Sequence, residues 1–143
     1  MSSRISVVTQ IAIILLAIVT IAGCARPPEE APTGSQVIVE LSDYKVSVNV
    51  ASTKAGTTKI GVRNLAGMAH DFVVIKTDIP QDKLPVDTAS GKAKEDGKVG
   101  GIDTIAAGKS AAVTVNLTPG KYVLICNIAG HYQLGMHTGF TVE

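Results

Sequence analysis

The chain has 143 residues, 45% of them hydrophobic, which is enough for one domain with a buried core and too short for two. Thirteen Lys and Arg stand against twelve Asp and Glu, which excludes an electrostatically driven nucleic-acid binder and a charge-rich disordered tail. Two Cys, three His and three Met are the scarce, chemically capable residues, and their positions carry the functional reading.

Residues 1–23 have the physical make-up of an export signal. Arg4 is a minimal positive region, Ile11 to Ala22 is apolar apart from Thr20, and Ala22 and Gly23 are small. The ending Ile21-Ala22-Gly23-Cys24 resembles the lipobox of bacterial lipoproteins, which implies lipidation of Cys24 as the first residue of the mature chain. The alternative is an uncleaved signal anchor, because Val7 to Cys24 is just long enough to span a bilayer. Both readings place the rest of the chain outside the cytoplasm, on the periplasmic or outer cell face, tethered to a membrane. Arg4 is the only charged residue before Cys24, so the remainder carries no net charge and is not steered to partners by it. Exported proteins usually pair their cysteines. With lipid on Cys24, Cys126 has no partner in the chain and is either an inert core thiol or a metal ligand.

Residues 24–35 comprise that cysteine and a Pro-rich linker (25–35), expected to be extended and to span on the order of 30 Å at polyproline rise. The domain is expected over 36–143. Val37, Val39 and Leu41 alternate with polar residues, as do Tyr44, Val46, Val48 and Val50, and then Thr58, Ile60 and Val62. His70 opens a run through Ile75, Ile102 and Ile105 mark a short strand, and Ala111 to Val115 another. The turn Pro119-Gly120 precedes a strand from Tyr122 to Cys126, and Thr138 to Glu143 closes the chain. Period-two alternation between turns, without an extended amphipathic helix, predicts an all-β sandwich of about eight strands. Thr77 to Val99 breaks the pattern. It carries four lysines and five acids without periodicity, and reads as a solvated excursion with a helical turn near Gln81 to Leu84, or as a partner-docking loop.

All three histidines, Cys126 and both non-initiator methionines fall in two segments, Gly67 to Phe72 and Cys126 to His137. Cys126, His131 and Met136 are five apart each time. Tyr122, Leu124 and Cys126 share one strand face, so the thiol points inward, and Gly130 and Gly135 let the following loop double back toward it. One thiolate, two imidazoles and a thioether make a soft site that suits copper. Zinc fits less well because a thioether is a poor zinc ligand, and calcium or magnesium would need oxygens. A Cys–His nucleophilic pair is disfavoured, since no third group orients it.

Here the sequence resembles the cupredoxins, the small blue copper proteins, and among them the auracyanin and rusticyanin group with Cys-x4-His-x4-Met loops. Gly130-His131-Tyr132-Gln133-Leu134-Gly135-Met136 is close to the auracyanin-type loop. Asn64 followed by His70-Asp71-Phe72-Val73 resembles the family's upstream ligand segment, and Pro119-Gly120-Lys121-Tyr122 before the cysteine strand fits as well, whereas plastocyanins and azurins have ligand loops of slightly different length. The resemblance implies a Greek-key sandwich and one copper per chain. It implies His70, Cys126 and His131 as equatorial ligands and Met136 as the axial one. It also implies an outer-sphere role for Asp71, whose amide would donate to the cysteine sulfur; plastocyanins usually have Asn there. Ile125 stands where plastocyanins have a tyrosine, so an aromatic electron route through that position is missing.

The function expected from this resemblance is a non-enzymatic, membrane-tethered carrier of single electrons, monomeric, acting between a redox protein donor and acceptor. It would have no small-molecule substrate. Electrons would pass near the edge of His131, with Ala129, Leu134 and Met68 as an apolar rim. His137 is expected to be exposed or outside the ligand set, because strand alternation turns it away from Met136. Tyr132 reads equally as a partner contact or a loop aromatic. The alternative function is copper buffering or delivery without redox turnover, against which stands the small, compact set of ligands.

Overall fold

The computed structural model describes residues 27–143; the export signal and Cys24 lie outside the described residues. Eleven strands follow in chain order: β1 (Val37–Ser42), β2 (Lys45–Val48), β3 (Ser52–Thr53), β4 (Gly56–Asn64), β5 (His70–Lys76), β6 (Val86–Asp87), β7 (Lys92–Ala93), β8 (Lys98–Ile105), β9 (Ser110–Leu117), β10 (Gly120–Ile125) and β11 (His137–Val142). Eight of these have four or more residues, matching the number expected from alternation. The other three (β3, β6 and β7) have two residues each, too few to leave a periodic signal.

The strands form two sheets and a small hairpin. One sheet is ordered β2-β1-β4-β9, the other β3-β11-β10-β5-β8, and β6 pairs with β7. Pairing is antiparallel except for β1 with β4 and β3 with β11. Val37, Val39, Leu41, Ile60, Val62, Val115 and Leu117 from the first sheet meet Phe72, Val74, Tyr122, Leu124, Phe140 and Val142 from the second. Alternate residues of β1 are buried and half-buried, as a strand with one core face requires.

Several expectations are adjusted. Tyr44 is not in a strand: Ser42 pairs with Lys45, so Asp43 and Tyr44 form the β1–β2 turn and Tyr44 is exposed. The short strand at Ile102 and Ile105 is an eight-residue strand whose period is diluted by Gly100 and Gly101. A side chain at Gly101 would strike the Phe72 carbonyl, and one at Gly100 would strike Val115.

The interval 77–99 is largely solvent-exposed, as expected of an excursion, but it is anchored to the domain at Leu84 and Ala93. It holds a turn closed by Lys83 N–H to the Pro80 carbonyl, not a helix, and then the β6–β7 hairpin. Leu84 and Ala93 pack against Val73, Ile75, Val123 and Ile125 on the outer face of the five-stranded sheet, forming a second core that includes Tyr132.

The Pro-rich segment is likewise tied down from Glu29 onward. Glu29 N–H donates to the Gly108 carbonyl at 2.9 Å, Arg63 Nε donates to the Glu29 carbonyl at 3.1 Å, and Lys59 Nζ donates to the Thr33 carbonyl at 2.7 Å. Gly61 leaves room for Ser35, whose hydroxyl a Cβ there would overlap. Residues 29–36 are therefore a strap laid on the four-stranded sheet.

Candidate metal centre

Asn64 ends β4 and shapes the approach to the site. Its Nδ2 donates to the carbonyls of Met68 (2.7 Å) and Ile105 (2.8 Å), and its Oδ1 accepts from Ala66 N–H (3.0 Å). The residue is fully buried, so these bonds replace water that its amide would otherwise need. They fold residues 65–69 so that β5 begins at His70, paired with Ile105 of β8.

Cys126 directly follows β10. Tyr122, Leu124 and Cys126 all join the inner core, as their two-residue spacing requires. The chain then turns tightly: His131 N–H reaches the Ile128 carbonyl, Gly135 N–H the Tyr132 carbonyl, and Met136 N–H the His131 carbonyl. Cys126 N–H closes the loop onto the Met136 carbonyl at 3.1 Å. Gly130 and Gly135 have φ of 83° and 111°, a region that side chains with a Cβ rarely adopt.

The result is a convergence of donors. Cys126 Sγ lies 3.5 Å from His70 Nδ1 and 3.6 Å from His131 Nδ1, and the two Nδ1 atoms are 3.3 Å apart. A point equidistant from the three is about 2.0 Å from each, a first-row metal–nitrogen bond length. All three residues are buried, as is Met136, whose backbone bonds to both Cys126 and His131. Thiolate, two imidazoles and a thioether form the soft donor set that copper favours, so the residues fit that metal.

Burial disfavours the charged form of both kinds of donor. Burial pushes the Cys126 thiol up to about 12, partly opposed by backbone N–H groups of Ile128 and Asp71 at the sulfur. Burial, and then the neighbouring His70, hold the His131 imidazole below its ordinary range, favouring the neutral form that ligates. The Asp71 carboxylate accepts the N–H of Asn127, joining the two ligand segments with an acid in the place of the usual Asn.

His137 stands apart from the cluster. Its ring is tilted against Tyr132 at a centroid distance of 5.2 Å. Met68 and Leu134 are exposed, as is Ala129. His131 is 8% exposed while His70, Cys126 and Met136 are at zero, so His131 is the donor that reaches the surface.

Three contacts were not legible in the residue pattern. Tyr132 hydroxyl accepts from Leu84 N–H (2.8 Å) and donates to the Gln81 carbonyl (2.9 Å), fastening the ligand loop to the 77–99 segment. Asn127 does the same at β7, bonding both the N–H (2.8 Å) and the carbonyl (2.9 Å) of Ala93. The β1–β2 turn covers the site: Asp43 Oδ1 is 3.1 Å from His70 Nε2, and the Tyr44 ring stands edge-on to His131. The one sequence hint at that turn is a polar–aromatic pair between two alternating runs, which says nothing of its target.

Comparison with known proteins agrees with this geometry. The family model for copper binding proteins of the plastocyanin/azurin family matches residues 37–143. No curated protein matches the sequence. Among solved structures, reduced auracyanin from the photosynthetic bacterium Roseiflexus castenholzii aligns at 20% identity with a TM-score of 0.52, covering 77% of this chain and 99% of that one. Rusticyanin from Thiobacillus ferrooxidans aligns at 19% identity with a TM-score of 0.57, covering 74% of this chain and 76% of that one. At these identities the likeness is one of fold.

Proposed function

The chain belongs to the plastocyanin/azurin family of copper-binding proteins, and from that premise we propose that it carries single electrons between two redox proteins at a membrane outside the cytoplasm. The observation that carries this reading is a buried set of converging donors of which His131 alone reaches the surface. His70, Cys126, His131 and Met136 would hold the copper. Copper would supply a one-electron couple when bound there, and the residues around it fix the ligand segments in place. Asn64, Asp71 and Asn127 do this by tying the two ligand segments to each other and to the sandwich. Such outer contacts orient ligands and tune the metal. A thioether from Met136 would complete the set begun by His70, Cys126 and His131, which favours a carrier over a catalyst. Electrons pass through the His131 edge, framed by Leu134, Met68 and Ala129.

The protein acts as a monomer held to the membrane by lipid on Cys24. Support comes from the Ile21-Ala22-Gly23-Cys24 ending and from the point where the strap meets the domain. Glu29 bonds to Gly108 and Ser110, at the end of the sandwich that also carries Asn64 and His70. Five residues from Cys24 to Glu29 reach at most about 17 Å, which keeps the copper end close to the bilayer and favours a partner in the same membrane.

The test is copper reconstitution followed by visible spectroscopy and voltammetry. An intense thiolate-to-copper band with a reversible couple is expected. A band that persists in Cys126→Ser overturns the site, and copper transfer to an acceptor without a reversible couple points to delivery instead. Cys24→Ala is expected to release the protein from membranes; retention there means that the signal segment itself is the anchor.

A further inference from the structure

Both imidazoles of the site use Nδ1 toward Cys126, which leaves each Nε2 facing outward. The surroundings of the two differ. His131 points toward solvent and the Tyr44 ring, at a centroid distance of 5.2 Å. His70 is fully buried, and its Nε2 meets Asp43 Oδ1 at 3.1 Å. Asp43 belongs to the β1–β2 turn, on the opposite sheet from His70, and that turn is seated on the ligand loop: a Cβ at Gly135 would come within 3.4 Å of the Tyr44 carbonyl.

We propose that Asp43 is a positioning residue that sets the oxidation-state preference of the copper site. Its carboxylate accepts the Nε2 proton of His70, and so selects the tautomer whose Nδ1 lone pair points at Cys126 and His131. The ring cannot then rotate or exchange tautomers without losing a charge-assisted hydrogen bond. The same negative charge acts through the imidazole on the metal position. It stabilises the doubly charged ion more than the singly charged one, because the interaction scales with charge. Asp43 thereby holds the reduction potential below that of an otherwise identical site with a neutral acceptor.

The inference rests on the copper reading, but half of its test does not need the metal. Asp43→Asn retains an acceptor oxygen and removes the charge; Asp43→Ala removes both. In the metal-free full chain, nitrogen-15 NMR is expected to show His70 as a single Nε2–H tautomer in the native protein and in Asp43→Asn. A mixture of tautomers is expected in Asp43→Ala. In the copper-loaded chain, Asp43→Asn is expected to lower the affinity for Cu(II) relative to Cu(I) about tenfold. That raises the potential by about 59 mV for a one-electron couple. Asp43→Ala adds a further loss of Cu(II) affinity on the order of tenfold, the lower end of what removing such an outer contact costs. A native potential in Asp43→Asn overturns the charge effect, and a single unchanged tautomer in Asp43→Ala overturns the positioning role. Absence of the blue band from the native protein would instead sink the copper assignment, leaving the metal-free tautomer result to stand alone.

Discussion

The two faces of the five-stranded sheet do different work, although they are built from alternate residues of the same strands. Along β10, Tyr122 and Leu124 face the inner core, and the same parity carries Cys126 there, while Val123 and Ile125 face the outer one. The inner core supplies donors: Cys126 and Met136 belong to it, and His70 opens a strand that borders it. The outer core supplies none. It holds Tyr132 and Leu84, which are joined by the tyrosine hydroxyl, and so grips the ligand loop from behind. Ligation and support of the ligands are thus divided between opposite sides of one sheet, and substitutions should separate them.

The sharpest separation comes from Cys126→Ser. It is expected to abolish the intense visible band while the metal-free fold loses no more than about 2 kcal/mol, since a buried hydroxyl replaces a thiol of similar shape. Denaturation of the metal-free variant, read beside its copper spectrum, checks both halves. Tyr132→Ala should do the converse. It empties part of the outer core and frees Leu84 N–H and the Gln81 carbonyl, costing about 3 kcal/mol by chemical denaturation. All four ligands remain, so a blue band should still form on adding copper. A variant that is as stable as the native protein would erase the distinction between the two faces.

Asn127→Ala tests the seam. Its amide holds both backbone groups of Ala93, so about 2 kcal/mol should be lost, with faster hydrogen exchange in 84–95 than in β10. The smallest effect concerns the inner face and pH. Burial keeps the Cys126 proton on sulfur until about pH 12 in the metal-free protein, so Cu(II) binding must expel it. Affinity should rise about tenfold per pH unit between about pH 7 and 9, and fall as pH drops, because a proton competes for the same sulfur. Calorimetry in buffers of different ionisation heat would register about one proton released, and Cys126→Ser should remove that slope.

Much of the inner face was readable in advance. Alternation in Val37-Val39-Leu41 and Tyr122-Leu124-Cys126 assigns each residue to a side, because strand period is a local property of the backbone. The five-residue spacings from Cys126 to His131 to Met136 likewise describe one short loop. The outer face was not readable. Val86–Asp87 and Lys92–Ala93 are too short for a period, and the apolar residues that mark the interval as core, Leu84 and Ala93, are spread among lysines and acids. Tyr132 stayed ambiguous because its partners lie about fifty residues earlier. Tyr44 continued the alternation of its neighbours, yet the two-residue turn between β1 and β2 takes it out of the strand.

By itself, the sequence determined the spacing of Cys126, His131 and Met136 in one loop and the inward parity of Cys126. Each of these is decided within about a dozen neighbouring residues. Only the tertiary structure decided that His70, 56 residues before Cys126, closes the donor triangle, and that Asp43 and the 77–99 segment stand behind the ligands. Those contacts depend on the register between strands and the packing of one sheet on another. Both are settled by burial of the whole core, which no local pattern encodes.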